Sequence, residues 1–187
     1  MPPKVRITRE DIIRTAVDIV RKDGAGAINA RQIAKALNCS TQPVFSNFAT
    51  MEELRGAVVD AASQLYQACI QQETQSGHYP PYKASGIAYI RFAKEEKELF
   101  QLLYMRDRSG EDTSAETETF NQISHWVQQY TGFSEETARL FHLEMWAFVH
   151  GIATMVATNY LDLAPELVSD MLTDAYLGLK KRYEEKE

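Results

Sequence analysis

Apolar positions recur along this chain at the 3.6-residue period of a helix, without the alternation that marks strands. Ile12, Ile13, Ala16, Val17 and Val20 make the first stripe, with Thr8 and Asp11 predicting its capped start and Gly24 its end. Asn29 and Gln32 predict the cap of a short second helix that turns Ile33, Ala34 and Leu37 inward and stops at Asn38, a residue tolerant of left-handed backbone. After a tight turn, Ser40 predicts the cap of a third helix; Pro43 then stands at its third position, where a missing N–H costs no intrahelical bond, and the Ser40 hydroxyl caps the Gln42 amide. Thr50 and Glu53 form an S/T-x-x-E box at the head of a long helix reaching about Gln75, along which Leu54, Val58, Ala61, Leu65 and Cys69 recur.

The pattern stays helical past Tyr79-Pro80-Pro81. It predicts helices from Tyr82 to Ala93, Glu96 to about Met105, Thr117 to Tyr130, Ser134 to Tyr160 and Pro165 to Tyr183, with a polar loop over Arg108–Glu116. The fold class expected is therefore all-α with about nine helices: a three-helix domain over 1–50 and a helical body over 51–187, joined through the helix that starts at Thr50. Two segments need extensive cover. Ser134–Tyr160 is apolar on several faces, and Leu167, Val168, Met171, Leu172, Ala175, Tyr176 and Leu179 form a wide stripe on the last helix.

Composition adds boundaries. At 187 residues and 44% hydrophobic, the chain is long enough to bury a core without disulfide or metal staples. Cys39 and Cys69 form no C-x-x-C or zinc spacing, and His125, His142 and His150 fit no H-E-x-x-H arrangement, so no metal or cofactor is expected. MPPKVRITRED lacks the apolar run of a signal peptide and no stretch reaches 18 apolar residues, which predicts a cytoplasmic protein. No nucleophile–base pattern, glycine-rich phosphate loop or paired-carboxylate motif points to an enzyme. The net charge of −6 hides an asymmetry: residues 1–50 hold eight Lys/Arg against four Asp/Glu, a net of +4, leaving −10 for the rest. A small cationic segment on an acidic body suits contact with phosphates.

Two short helices on a tight turn within that cationic segment form the arrangement that sets a recognition helix in the DNA major groove. The stretch INARQIAKALNCSTQPVFSNFATMEEL, from Ile28 to Leu54, resembles the helix-turn-helix of TetR-type transcriptional regulators in Ile33-Ala34, Leu37, Ser40, Phe45, Phe48 and Glu52-Glu53-Leu54. The resemblance implies DNA contacts from Arg31, Ser40, Thr41, Gln42, Phe45, Ser46, Asn47 and Thr50, with Lys4 and Arg6 on an N-terminal arm. Gln and Asn can pair with adenine N6/N7, and Arg with guanine O6/N7. Ile33, Ala34, Leu37, Val44, Phe45 and Phe48 read as core, so Phe45 belongs to both sets. Two positions depart from the family: Phe45 stands where a phosphate-binding Tyr is usual, and Met51 where a Lys is usual. The lost Lys contact would lower the salt dependence of binding.

For the body, the resemblance implies a ligand cavity and a dimer interface. Phe92, Phe100, Leu103, Tyr104, Phe120, Trp126, Phe141, Met145, Trp146 and His150 are the candidate ligand wall, aromatic and soft apolar surface with a polar anchor. Trp146-Ala-Phe-Val-His150-Gly151 is similar to the tryptophan–histidine–glycine element of one TetR-type C-terminal class. Gly151 in mid-helix predicts the close approach of another helix. The candidate interface is Val149, Ala153, Val156, Ala157, Tyr160, Leu167, Met171, Leu172, Ala175 and Leu179, packed against a second copy as a four-helix bundle. The expected partners are an operator in double-stranded DNA, a second copy of the chain and a small apolar or aromatic effector, with no membrane. The expected activity is repression relieved by that effector; the alternative is the same fold without a small ligand, controlled by a protein partner.

Overall fold

The structure, a computed structural model, describes residues 7–186 except 111 and 113. Lys4 and Arg6 lie outside the described residues. Among those described, every regular element is helical: α1 (Arg9–Asp23), α2 (Ala30–Ala36), α3 (Gln42–Asn47), α4 (Met51–Ser76), α5 (Pro81–Glu95), α6 (Lys97–Tyr104), α7 (Ser114–Thr131), α8 (Glu135–Ala157) and α9 (Pro165–Glu184), with a 3-10 turn at Ala25–Ala27. The all-α expectation holds.

Local chemistry sets most boundaries. Thr8 and Asp11 exchange two 3.1 Å hydrogen bonds at the start of α1, a complete capping box, and Gly24 ends the helix at φ 80°. Asn29 caps α2 by accepting from the Gln32 N–H at 2.9 Å. Ser134 caps α8 through the Thr137 N–H at 3.2 Å. The far end of α8 comes earlier than the apolar pattern suggests. Asn159 adopts φ 57°, its N–H donates to Val156 O, and the Tyr160 N–H donates to Met155 O, so a Schellman motif stops the helix before Tyr160.

The chain forms two compact units. The first comprises residues up to Gln71 together with Phe92–Arg106. Ile12, Val20, Ile33, Val44, Phe48, Leu54, Val58, Leu99 and Phe100 fill its core. Contacts thus gather differently from a division at residue 50, because α6 turns Leu99, Phe100 and Leu103 onto α1. The Arg21 guanidinium grips the Glu96 carboxylate with Nε–Oε2 at 2.8 Å and Nη2–Oε1 at 2.7 Å, a bidentate tie across 75 residues of sequence. On α4 the inward stripe runs Leu54, Val58, Ala62 in steps of four. The expected step to Ala61 and Leu65 points elsewhere: Leu65 is exposed and lines an open groove of about 580 Å³ along α1 and α4.

The second unit comprises Gln72–Arg91 and Asp107–Glu187. Within it α8 packs along both α7 and α9. Its central cluster is Val127, Phe133, Ala138, Phe141, Met145 and Tyr183, with Tyr82, Tyr176 and Leu179 against it. Glu73, near the end of α4, is 5% exposed and pairs with Arg91 of α5. The cation offsets part of the desolvation cost that burial imposes on a carboxylate.

Candidate functional site

The geometry of the cationic tip begins with the stop of α2. The Cys39 N–H donates to Ala34 O at 2.9 Å and the Asn38 N–H to Lys35 O at 3.2 Å, with Asn38 at φ 50°. This Schellman motif reverses the chain within a few residues and launches α3. Val44 and Phe48, four apart, are buried and seat α3 on the first unit's core. The opposite face is thereby turned outward.

The start of α3 differs from expectation. The residue before it is Thr41, already helical at φ −73° and ψ −12°, and no side chain caps it. Pro43 supplies no N–H at N2, and the Val44 N–H is spent on Thr41 O at 3.1 Å, so a hydroxyl there has little left to accept from. Ser40 stands exposed in the turn instead.

Arg31, Ser40, Gln42, Phe45, Ser46 and Thr50 are exposed, whereas Thr41 and Asn47 are half-buried. Phe45 is 56% exposed, which removes it from the core set: one residue beyond Val44, it is carried about 100° around the helix. Ser46 Oγ donates to Gln42 O at 2.9 Å, and Asn47 Nδ2 donates to Pro43 O at 2.8 Å. Both side chains thus direct a donor onto their own helix. Gln42 and Arg31 present the long polar side chains of the outward face.

Thr50 and Glu53 hold the head of α4. Thr50 Oγ1 accepts from the Glu53 N–H at 3.1 Å, as the capping pattern predicts. The Glu53 carboxylate reaches one residue further back than a standard box, accepting from the Ala49 N–H at 2.7 Å. It also receives Arg9 Nη2 at 3.0 Å, and these bonds, the Ala49 one foremost, hold its carboxyl below the usual carboxylate range. The Arg9 guanidinium lies 4.3 Å from the Phe48 ring centre. Arg9 thus fixes the junction of α3 and α4. Nothing local in the sequence pointed to it, because Glu53 lies 44 residues away.

The ten candidate wall residues are distributed over both units. Phe92, Phe100, Leu103 and Tyr104 belong to the first unit, where Tyr66 packs 5.4 Å from Phe92 and 5.9 Å from Tyr104. Phe120, Trp126, Phe141, Met145, Trp146 and His150 belong to the second. Phe141 and Met145 fill its core, Phe120 and Trp126 are half-buried, and Trp146 is 45% exposed. Trp146 stacks on His150 with centroids 5.2 Å apart.

Two tyrosine–histidine pairs accompany them. Tyr82 Oη lies 2.9 Å from His142 Nδ1, and Tyr89 Oη 2.9 Å from His150 Nδ1. Burial pushes His142 down to about 4 and moves His150 in the same direction, so both rings are neutral near pH 7. Burial also pushes the Tyr82 hydroxyl up. Nothing in the sequence paired Tyr82 with His142 or Tyr89 with His150; the only signal was matched spacing, seven residues on one helix and eight on the other.

The candidate interface divides as well. Ala153, Val156, Ala157 and Leu172 are buried in the second unit's own core, and Val149 nearly so. Met171, Ala175 and Leu179 are half-buried, while Leu167 and Tyr160 are open. The outward apolar positions include Leu140, Leu143, Trp146 and Phe148 on α8 and Leu177 on α9. Among the described residues, nothing beyond the helix's own neighbouring backbone comes within 4 Å of where a Cβ would stand at Gly151 or Gly178. The close approach expected at Gly151 occurs at Gly86 instead, against Leu172 and Val149.

The sequence model of the tetracyclin repressor-like C-terminal domain matches residues 82–177. No curated protein matches the chain significantly. Among solved structures, a protein of unknown function from Rhodococcus sp. RHA1 shares 22% identity at a TM-score of 0.75, covering 98% of this chain and 99% of its own. A TetR-like transcriptional regulator from the same organism shares 13% identity at a TM-score of 0.68, covering 95% and 96%. With more than half of its length matched by the C-terminal domain model and a helical fold shared end to end with such proteins, the chain belongs to the TetR-like family of transcriptional regulators.

Proposed function

We propose that this regulator acts as a homodimer that binds an inverted-repeat operator through α3 and leaves it when a small apolar or aromatic effector enters the helical body. The observation that carries the reading is the outward face of α3 and its surroundings: Gln42, Arg31, Ser40, Ser46 and Thr50 stand exposed on a tip whose core is closed by Val44 and Phe48. A short helix presenting one amide, with the Arg31 guanidinium on the preceding helix, is too small to hold DNA alone, which favours two copies spaced by one helical turn, about 34 Å. Outward Leu140 and Leu143 on the helix that carries Gly151, and Leu177 next to Gly178 on α9, offer surfaces on which a second copy can lie close.

For the effector, the support is chemical. The second unit offers aromatic surface at Trp146, stacked on the neutral imidazole of His150, a polar anchor that can donate or accept, and at Phe120 and Trp126, which lie against His142 and Tyr82. A ligand that binds better to one arrangement of the chain shifts the population toward it, with a coupling of about 1–3 kcal/mol. The tip of the molecule is tested first. An operator selected from random duplex DNA is titrated against the wild type and Gln42→Ala. The variant should lose about 5- to 100-fold in affinity while keeping its melting temperature, since the side chain is exposed. Equal affinity would remove Gln42 from the interface, and failure to enrich any inverted repeat would overturn the reading as a whole.

A further inference from the structure

Phe45 is the least expected feature of the tip. It is a large ring, 56% exposed, on a helix whose neighbouring surface is polar. It lies three residues after Gln42 and so shares that residue's face of α3. Its two successors, Ser46 and Asn47, direct a donor back onto the carbonyls of Gln42 and Pro43. The outward centre of the helix is therefore one amide and one apolar ring. A ring carries no hydrogen-bond group, so it can neither bind a phosphate nor pair with a base-edge nitrogen or oxygen. The major groove displays one apolar group that distinguishes base pairs, the 5-methyl of thymine.

Resting on the DNA-binding reading above, we infer that Phe45 is a specificity-determining residue that reads a thymine 5-methyl in each operator half-site, with Gln42 on the adjoining base pair. Burying a methyl against the ring removes apolar surface from water on both partners, an effect that requires no counter-ion. The contact is therefore insensitive to salt, unlike phosphate contacts.

The test replaces thymine by deoxyuridine, which keeps every hydrogen-bonding group and deletes only the methyl. Each thymine of the selected operator is exchanged in turn, and affinity is measured by fluorescence anisotropy at two salt concentrations. One symmetric pair of positions should be sensitive: about fourfold weaker binding per methyl removed, about fifteenfold for both, at either salt concentration. In Phe45→Ala this sensitivity should vanish while thymine- and uracil-containing duplexes bind alike. Phe45→Leu, which retains an apolar tip, should keep part of it. Because the ring is exposed, both variants should melt as the wild type does, which separates a lost contact from a lost fold. An enriched operator with no uracil-sensitive position, or a Phe45→Ala defect equal on all duplexes, would overturn this inference and leave the DNA-binding reading standing. Failure to enrich any operator would overturn both.

Discussion

His142 sits in a closed aromatic setting, with the Phe120 ring centre 4.7 Å away and the Tyr82 hydroxyl on Nδ1. Burial holds its pKa at about 4, against an ordinary value of 6.5. The folded state therefore binds fewer protons than the unfolded chain between those two values, so stability is fully present above about pH 6.5 and falls as the pH drops toward 4. The contribution at stake is about 3 kcal/mol. Urea unfolding at pH 7 and 4.5 should show the wild type losing about 2 kcal/mol more than His142→Gln over that interval. Equal losses would mean that other groups carry the acid sensitivity. Sequence alone showed this histidine only as a poor metal ligand, because its partners Tyr82 and Phe120 lie 60 and 22 residues away.

The elements whose ends are set by short-range chemistry were the legible ones. Thr8 with Asp11, Asn29 with Gln32, Ser134 with Thr137 and Thr50 with Glu53 each act within three residues. Asn38 was readable for the same reason; Asn159, doing the same at the end of α8, lay inside an apolar run that masked it. Left-handed backbone gives a test at this scale. Asn38→Gly should leave the unfolding free energy within about 0.5 kcal/mol, whereas Asn38→Val, β-branched at positive φ, should cost about 1–2 kcal/mol and loosen the presentation of α3. Matched thermal melts of the two variants check it; equal stability would show that the turn tolerates a relaxed φ. What stayed hidden at this scale was direction. The apolar period of α4 fitted Ala61 and Leu65 as well as Ala62, and only packing chose between them.

For the whole molecule, sequence indicated a cationic tip and an acidic helical body, but not which residues each would recruit. Phe100 and Leu103 entered the first unit because α6 covers α1, a contact between segments about 80 residues apart, and Phe92 of α5 because it packs against Tyr66 of α4. The interface candidates failed to separate inside from outside for a similar reason: a helix apolar on several faces does not say which face its own chain will take. The sites left open make a sharper forecast. Leu143→Asp lies on the outward side of α8 and should leave the monomer folded while shifting micromolar protein to half its mass by light scattering. Operator affinity should fall with it. An unchanged mass would move the interface elsewhere.

The two tyrosine–histidine pairs have a mechanical consequence. Tyr82 meets His142 and Tyr89 meets His150, so α5 and α8 run in the same direction with two fastenings about 10–12 Å apart. A single pin would let one rod slide or swivel on the other. Two pins along their length resist both, since sliding by even one residue must break the pair at each end together. Whatever displaces α5 must carry α8 along with it, as one stiff beam.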